Sequence, residues 1–114
     1  MADIIRSQPI TGRSLDWPAL AGNHKLVDCD AGYKIVVVGL VVNANGNIAV
    51  AFQDEHQSFA TFYLQAGMNV VLPPANRGWF TALAGDDVYM GFNVAGVNVG
   101  GYILYQLVPA GFEP

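Results

Sequence analysis

Apolar residues along this chain recur with the two-residue period of strands and not with the period of helices. No window of about a dozen residues holds an i, i+3, i+4, i+7 apolar pattern without a glycine, a proline or a β-branched run breaking it. Strand-like runs separated by turn residues come roughly every ten residues, the spacing of a sandwich or barrel. The pattern predicts eight or nine strands, near 3–7, 24–28, 33–43, 47–53, 59–64, 68–72, 79–83, 88–94 and 101–108. Eight strands in two packed antiparallel sheets is the jelly-roll number. The expected fold is therefore all-β: an antiparallel, jelly-roll-like β-sandwich.

The strand at 33–43 is apolar on both faces, with Ile35 and Val37 on one and Val36, Val38 and Leu40 on the other. A strand of that kind is covered on both sides. One side is the domain core; a loop, the N-terminal segment or another subunit covers the other. Asn45-Gly46 follows, a pair that tolerates positive φ and predicts a tight hairpin into 47–53. There Ile48, Val50 and Phe52 alternate with Ala49, Ala51 and Gln53. Pro73-Pro74 and Gly78 mark a rigid loop, because proline fixes φ and removes a donor.

Residues 1–23 read differently. A strand at 3–7 precedes an irregular stretch, 8–23, which contains Pro9, Gly12, Pro18 and Gly22. Such a segment wraps its own domain or serves as an arm to a neighbour, and nothing local decides between the two. The expected organisation is an irregular segment over 1–23 and one β-sandwich domain over 24–114.

Composition sharpens the picture. Hydrophobic residues make up 53% of the 114 and charged residues only 12%, about half the usual charged share. A small domain with so few charges leaves apolar surface for a partner, which predicts a homo-oligomer, with a trimer first. The net charge is −4, and the five basic residues are scattered. No cluster neutralises several phosphates, which argues against nucleic acid. The apolar run 35–42 is too short to cross a bilayer as a helix, so no membrane partner is expected. Cys29 is the single cysteine, and the N-terminus carries no signal-peptide pattern. Both point to synthesis in a reducing cytoplasm.

Candidate chemistry is sparse. The serines (Ser7, Ser14, Ser58) and histidines (His24, His56) include no Gly-x-Ser-x-Gly elbow. Asp54, Glu55, His56 and Ser58 lie close in sequence, whereas a triad converges from distant segments, so the run reads as a solvated loop. His24, Asp28, Cys29 and Asp30 match no zinc or calcium spacing, and Asp86-Asp87 after Gly85 reads as turn chemistry. No catalytic, metal or cofactor residue is expected. Aromatics beside amides leave a sugar-binding module open, but Tyr63, Phe80, Tyr89 and Tyr105 read as sheet packing. Trp17, Arg77 and Trp79 lie near loops and are residue types that anchor interfaces. They are the candidate contact residues, although packing at the core edge also accounts for Trp79.

The second half carries an ordered pattern: Leu64-Gln-Ala-Gly-Met-Asn-Val-Val-Leu72, Pro74-Ala-Asn-Arg-Gly-Trp-Phe80, Ala82-Leu-Ala-Gly-Asp-Asp-Val88 and Gly100-Gly-Tyr-Ile-Leu-Tyr105. Gly32-Tyr-Lys-Ile-Val-Val-Val38 and Asn45-Gly-Asn-Ile-Ala-Val-Ala-Phe52 precede it. Over roughly residues 24–108 this order resembles small β-sandwich virion proteins of tailed bacteriophages, some of which are capsid decoration or cement proteins. The resemblance implies a non-enzymatic structural role on a virion. The partner would be the major capsid protein or another virion protein, met after synthesis in the bacterial host cytoplasm. A neck, tail or fibre-base component fits the same pattern.

Overall fold

Period-two alternation becomes strand only where a partner strand accepts the hydrogen bonds, and here every long alternating run finds one. The computed structural model describes residues 10–18, 22–75, 77–94 and 96–111. Its strands are β1 (Thr11–Pro18), β2 (Gly22–Val27), β3 (Tyr33–Ala44), β4 (Ile48–Gln53), β5 (Ser58–Leu64), β6 (Asn69–Leu72), β7 (Phe80–Thr81), β8 (Val88–Phe92) and β9 (Asn98–Pro109). One sheet has the order β1-β9-β3-β6, with β7 also paired to β3; the other is β2-β8-β4-β5. All pairings are antiparallel. With β7 set aside, four strands face four, the arrangement expected of a jelly roll.

The alternation of β4 places Ile48, Val50 and Phe52 between the sheets, where Leu26, Val88 and Met90 meet Ile35, Val42 and Ile103. Each such side chain contributes roughly 1.5–3 kcal/mol on burial. As expected, β3 is buried on both faces. A bulge between Val37 and Gly39 shifts the alternation, however. Leu40 therefore joins Ile35 and Val37 in the core and does not share a face with Val36 and Val38. The outer face of β3 is covered by a loop. Val36 and Val38 pack with Val108 and Leu104, and Gly78 lies against Val36: a Cβ there would meet Val36 Cγ1 at 2.4 Å.

That loop also explains β6 and β7, which are one edge strand in two pieces. β6 pairs with Leu40–Asn43 and β7 with Val36 and Val37. Pro73-Pro74 breaks the ladder between them. The β3 carbonyls along the gap are still met, by Ala75 N on Val38 O (2.9 Å) and Trp79 N on Val37 O (2.7 Å).

Two expectations are corrected. Asn45-Gly46 makes no hairpin: β3 and β4 lie in different sheets, and neither turn residue has positive φ. The turn is a crossing between sheets, fixed by Asn45 N on Asn98 O and Asn98 N on Asn45 Oδ1. The hairpin in this region is β4–β5, joined through the 54–57 loop. Second, the stretch expected to be irregular contains β1 and the start of β2. β1 runs register-perfect against β9 from Thr11↔Tyr105 to Pro18↔Asn98, so the neighbouring strand imposes the extended form. The strand expected at 3–7 lies outside the described residues.

Candidate functional site

Three loops meet at one end of the sandwich: β2–β3 (28–32), β4–β5 (54–57) and β7–β8 (82–87). The ion pairs and most of the side-chain hydrogen bonds found among the described residues are there. Asp54, 3% exposed, holds the centre. Its Oδ1 accepts from His56 N and Gln57 N at 2.7 Å each, and its Oδ2 accepts from Leu83 N at 3.0 Å. An aspartate at the first loop position favours this backbone capping. Two further contacts reinforce the Leu83 link: His56 Nδ1 lies 2.5 Å from Asp86 Oδ2, and Asp87 N donates to Glu55 Oε2 at 3.2 Å. The third loop joins through Asp87, whose Oδ1 accepts from Cys29 N at 2.7 Å. Lys25 Nζ bridges Asp87 (3.0 Å) and Asp28 (3.1 Å).

The charges are tuned accordingly. Burial works to raise the Asp54 carboxyl, but the amides of Leu83, His56 and Gln57 outweigh it and hold it below the ordinary range. Asp87 is held low by the Cys29 amide, against its own burial and with help from Lys25. His56 is pushed up, first by its hydrogen bond to Asp86 and then by that carboxylate's charge. The Cys29 thiol is raised by burial, which keeps it protonated and a poor nucleophile.

Asp54, His56 and Asp86 bring three donor atoms within 4.8 Å of one another. Each of the three already serves as a hydrogen-bond partner. Asp54 accepts three amides, and the imidazole faces Asp86. Among the described residues no hydroxyl or thiol is hydrogen-bonded to His56, so the His–Asp pair lacks the nucleophile that a triad needs. The arrangement is a latch between loops. His24, Asp28, Cys29 and Asp30 do not converge: His24 tilts against Phe92 with ring centroids 5.5 Å apart, Asp28 pairs with Lys25, and the Cys29 thiol donates to Tyr33 O. Sequence reasoning missed the partnership of His56 with Asp86, which it read as plain turn chemistry.

The latch predicts a pH response. His56 has a folded pKa above its ordinary value of about 6.5. Its contribution is therefore complete below that value and is lost as pH rises through the folded pKa. Asp54 and Asp87 run the other way: their contribution is present above about pH 4 and is lost as pH falls. Urea midpoints of the wild type and Asp86→Asn, compared from pH 5 to 9, should converge as pH rises past neutrality. A difference constant over that range would overturn the assignment.

The candidate contact residues lie elsewhere. Arg77 and Trp79 are exposed on the 73–79 loop, and Trp79 Nε1 donates to Pro73 O at 2.7 Å, closing that loop. Trp17 sits on β1 opposite Val99, separated from β6 in the sheet by β9 and β3; its side chain is outside those described. Phe80 and Tyr105 pack against the core as expected, but Tyr63 is 77% exposed, which corrects its expected role in sheet packing.

No family model matches the chain, and no curated protein matches it in sequence. Its fold is similar to that of a solved chain from Bacillus endospore appendages, which form a novel family of disulfide-linked pili. The TM-score is 0.53, with 14% identity and 90% of each chain covered. At that identity the likeness is one of fold.

Proposed function

We propose that this protein is a non-enzymatic structural subunit that acts by self-association and by packing onto a larger protein assembly. One observation carries the reading. Val71, Val41 and Tyr102 stand side by side across the outer face of the β1-β9-β3-β6 sheet. Val71 is 58% exposed and Tyr102 45%, and the exposed Trp79 sits on the loop beside that face. An apolar row on a domain with so few charges is the kind of surface that a partner covers. Asp54, Glu55, His56, Asp86 and Asp87, meanwhile, are engaged in stitching loops together.

The first form of this reading is a decoration protein on a bacteriophage capsid, as the resemblance in strand order and turn residues implies. Binding only the assembled shell would stabilise it by mass action, about 2.7 kcal/mol per site at one-hundredfold excess over Kd. The fold likeness to a pilus chain favours a second form, a subunit of a fibre or appendage. Light scattering behind a sizing column, with electron microscopy of the same fractions, tests both. Discrete oligomers are expected, and filaments would favour the second form. A monomer at every accessible concentration would overturn the self-association.

A further inference from the structure

We infer that the groove beside Tyr63, on the outer face of the β2-β8-β4-β5 sheet, is a binding site for a neutral carbohydrate. The inference goes beyond the structural role proposed above and does not depend on it.

Three neighbouring side chains shape the groove. Ala49 pairs in register with Tyr63 of β5, and on its other flank Ala49 N donates to Asn93 Oδ1 at 2.9 Å. A single methyl group thus stands between a phenol ring and a carboxamide. The low middle leaves an open hollow of about 320 Å³, at the small end of ligand sites. Asn47 and Gln65, one residue beyond the Ile48↔Leu64 pair, line it as well. The bond to Ala49 fixes the Asn93 amide, so its Nδ2 is set to donate. Tyr63 is 77% exposed, the most exposed large apolar side chain among the described residues.

This lining selects the chemistry of the ligand. A pyranose presents a C–H face that a flat ring covers and a rim of hydroxyls that donate and accept. The Tyr63 ring supplies the first contact, and the carboxamides, which also donate and accept, supply the second. No charged side chain lines the hollow. Lys25, on the same face of the sheet opposite Tyr89, is held by Asp28 at 3.1 Å and Asp87 at 3.0 Å. With the chain at −4 overall, an acidic glycan finds no counter-charge there. A protein partner fits less well, because protein interfaces centre on large apolar anchors. Here the large aliphatic residues of the lining, Ile48 and Leu64, are turned into the core. The aliphatic outer face belongs to the other sheet, along the Val71–Tyr102 row. Ala51, paired with Thr61 and Gly91, continues the low floor along β4, and the Asn23 amide lies across Gly91. The hollow therefore opens onto a strip that suits a chain of sugars better than a single one.

A glycan array tests the site, with the biotinylated protein clustered on streptavidin so that weak single sites register by avidity. The array carries neutral hexose and N-acetylhexosamine oligomers beside sialylated and sulfated ones. Neutral oligomers should bind, and acidic ones should not. In calorimetry with the best neutral oligomer, Tyr63→Ala should weaken binding by about tenfold or more, and Tyr63→Phe, which keeps the ring, should lose much less. Ala49→Leu fills the floor from outside the core and should weaken binding to a similar degree as Tyr63→Ala. Val71→Ser, on the other sheet, should change nothing. Far-UV circular dichroism identifies any variant that fails to fold. Absence of binding to neutral glycans, a preference for acidic ones, or an affinity indifferent to both Tyr63→Ala and Ala49→Leu would overturn the site. If no glycan binds and Tyr63→Ala instead alters the sedimentation of the protein, the face is a contact between proteins and the sugar site falls.

Discussion

Gly101→Ala should cost about 3 kcal/mol or more, a large share of the roughly 5–15 kcal/mol that holds a domain of this size together. Gly101 sits inside β9, paired with Leu15 on one side and Val42 on the other, and its φ is +126°. A residue with a side chain is strained there by about 1–3 kcal/mol. The strain is the smaller part. A Cβ would lie 2.0 Å from Val41 O and 2.7 Å from Val41 C, and backbone cannot turn aside as a flexible side chain can. Relief requires β9 to separate from β3, the longest pairing in the molecule. Gly85→Ala is the control, at φ +78° with nothing within 4 Å of the added carbon. It should cost only about 1–2 kcal/mol. Urea denaturation of both variants decides the matter, and equal costs would remove the close approach as the cause.

Phe52→Ala should be comparably severe, at about 3–5 kcal/mol. Phe52 is 2% exposed, flanked in register by Ala60 and Met90, and meets Phe62 edge-on with ring centroids 5.9 Å apart. Removing the ring leaves a cavity lined by strands of a ladder that is paired on both sides and cannot readily collapse into it. Tyr63→Ala removes a ring from the opposite face of the same sheet. In dilute, dissociated protein it should shift stability by less than about 0.5 kcal/mol. Similar losses for the two would mean that the inward and outward faces of this sheet are wrongly assigned.

Much of this fold could be read from the sequence, and the exceptions have physical causes. β4 was legible because every second residue is apolar and the strand has one wet face. β3 was legible as a strand covered on both sides, but not in its facing. The bulge beside Gly39 adds a residue, and only the fit of Gly39 under the Leu104 side chain, 3.1 Å from where a Cβ would be, marks the place. Asn45-Gly46 misled because turn residues record local backbone freedom, not which strand lies alongside. β1 was invisible because Thr11-Gly-Arg-Ser-Leu-Asp-Trp-Pro18 has little strand preference of its own and takes its form from β9. The latch was hidden for a related reason. His56 and Asp86 stand thirty residues apart, and only the stacking order of the loops brings them together.

The double burial of β3 has a consequence for how the chain is made. Its most apolar strand ends at Ala44, yet its longest partner, β9, begins only at Asn98. At about 5–20 residues per second, synthesis leaves that strand without its main partner for some seconds. Throughout that interval the β3 ladder edge that β9 will occupy stays open, a state prone to wrong association. Yield in the cell should therefore depend more on chaperone supply and translation speed between residues 45 and 98 than on the stability of the finished sandwich.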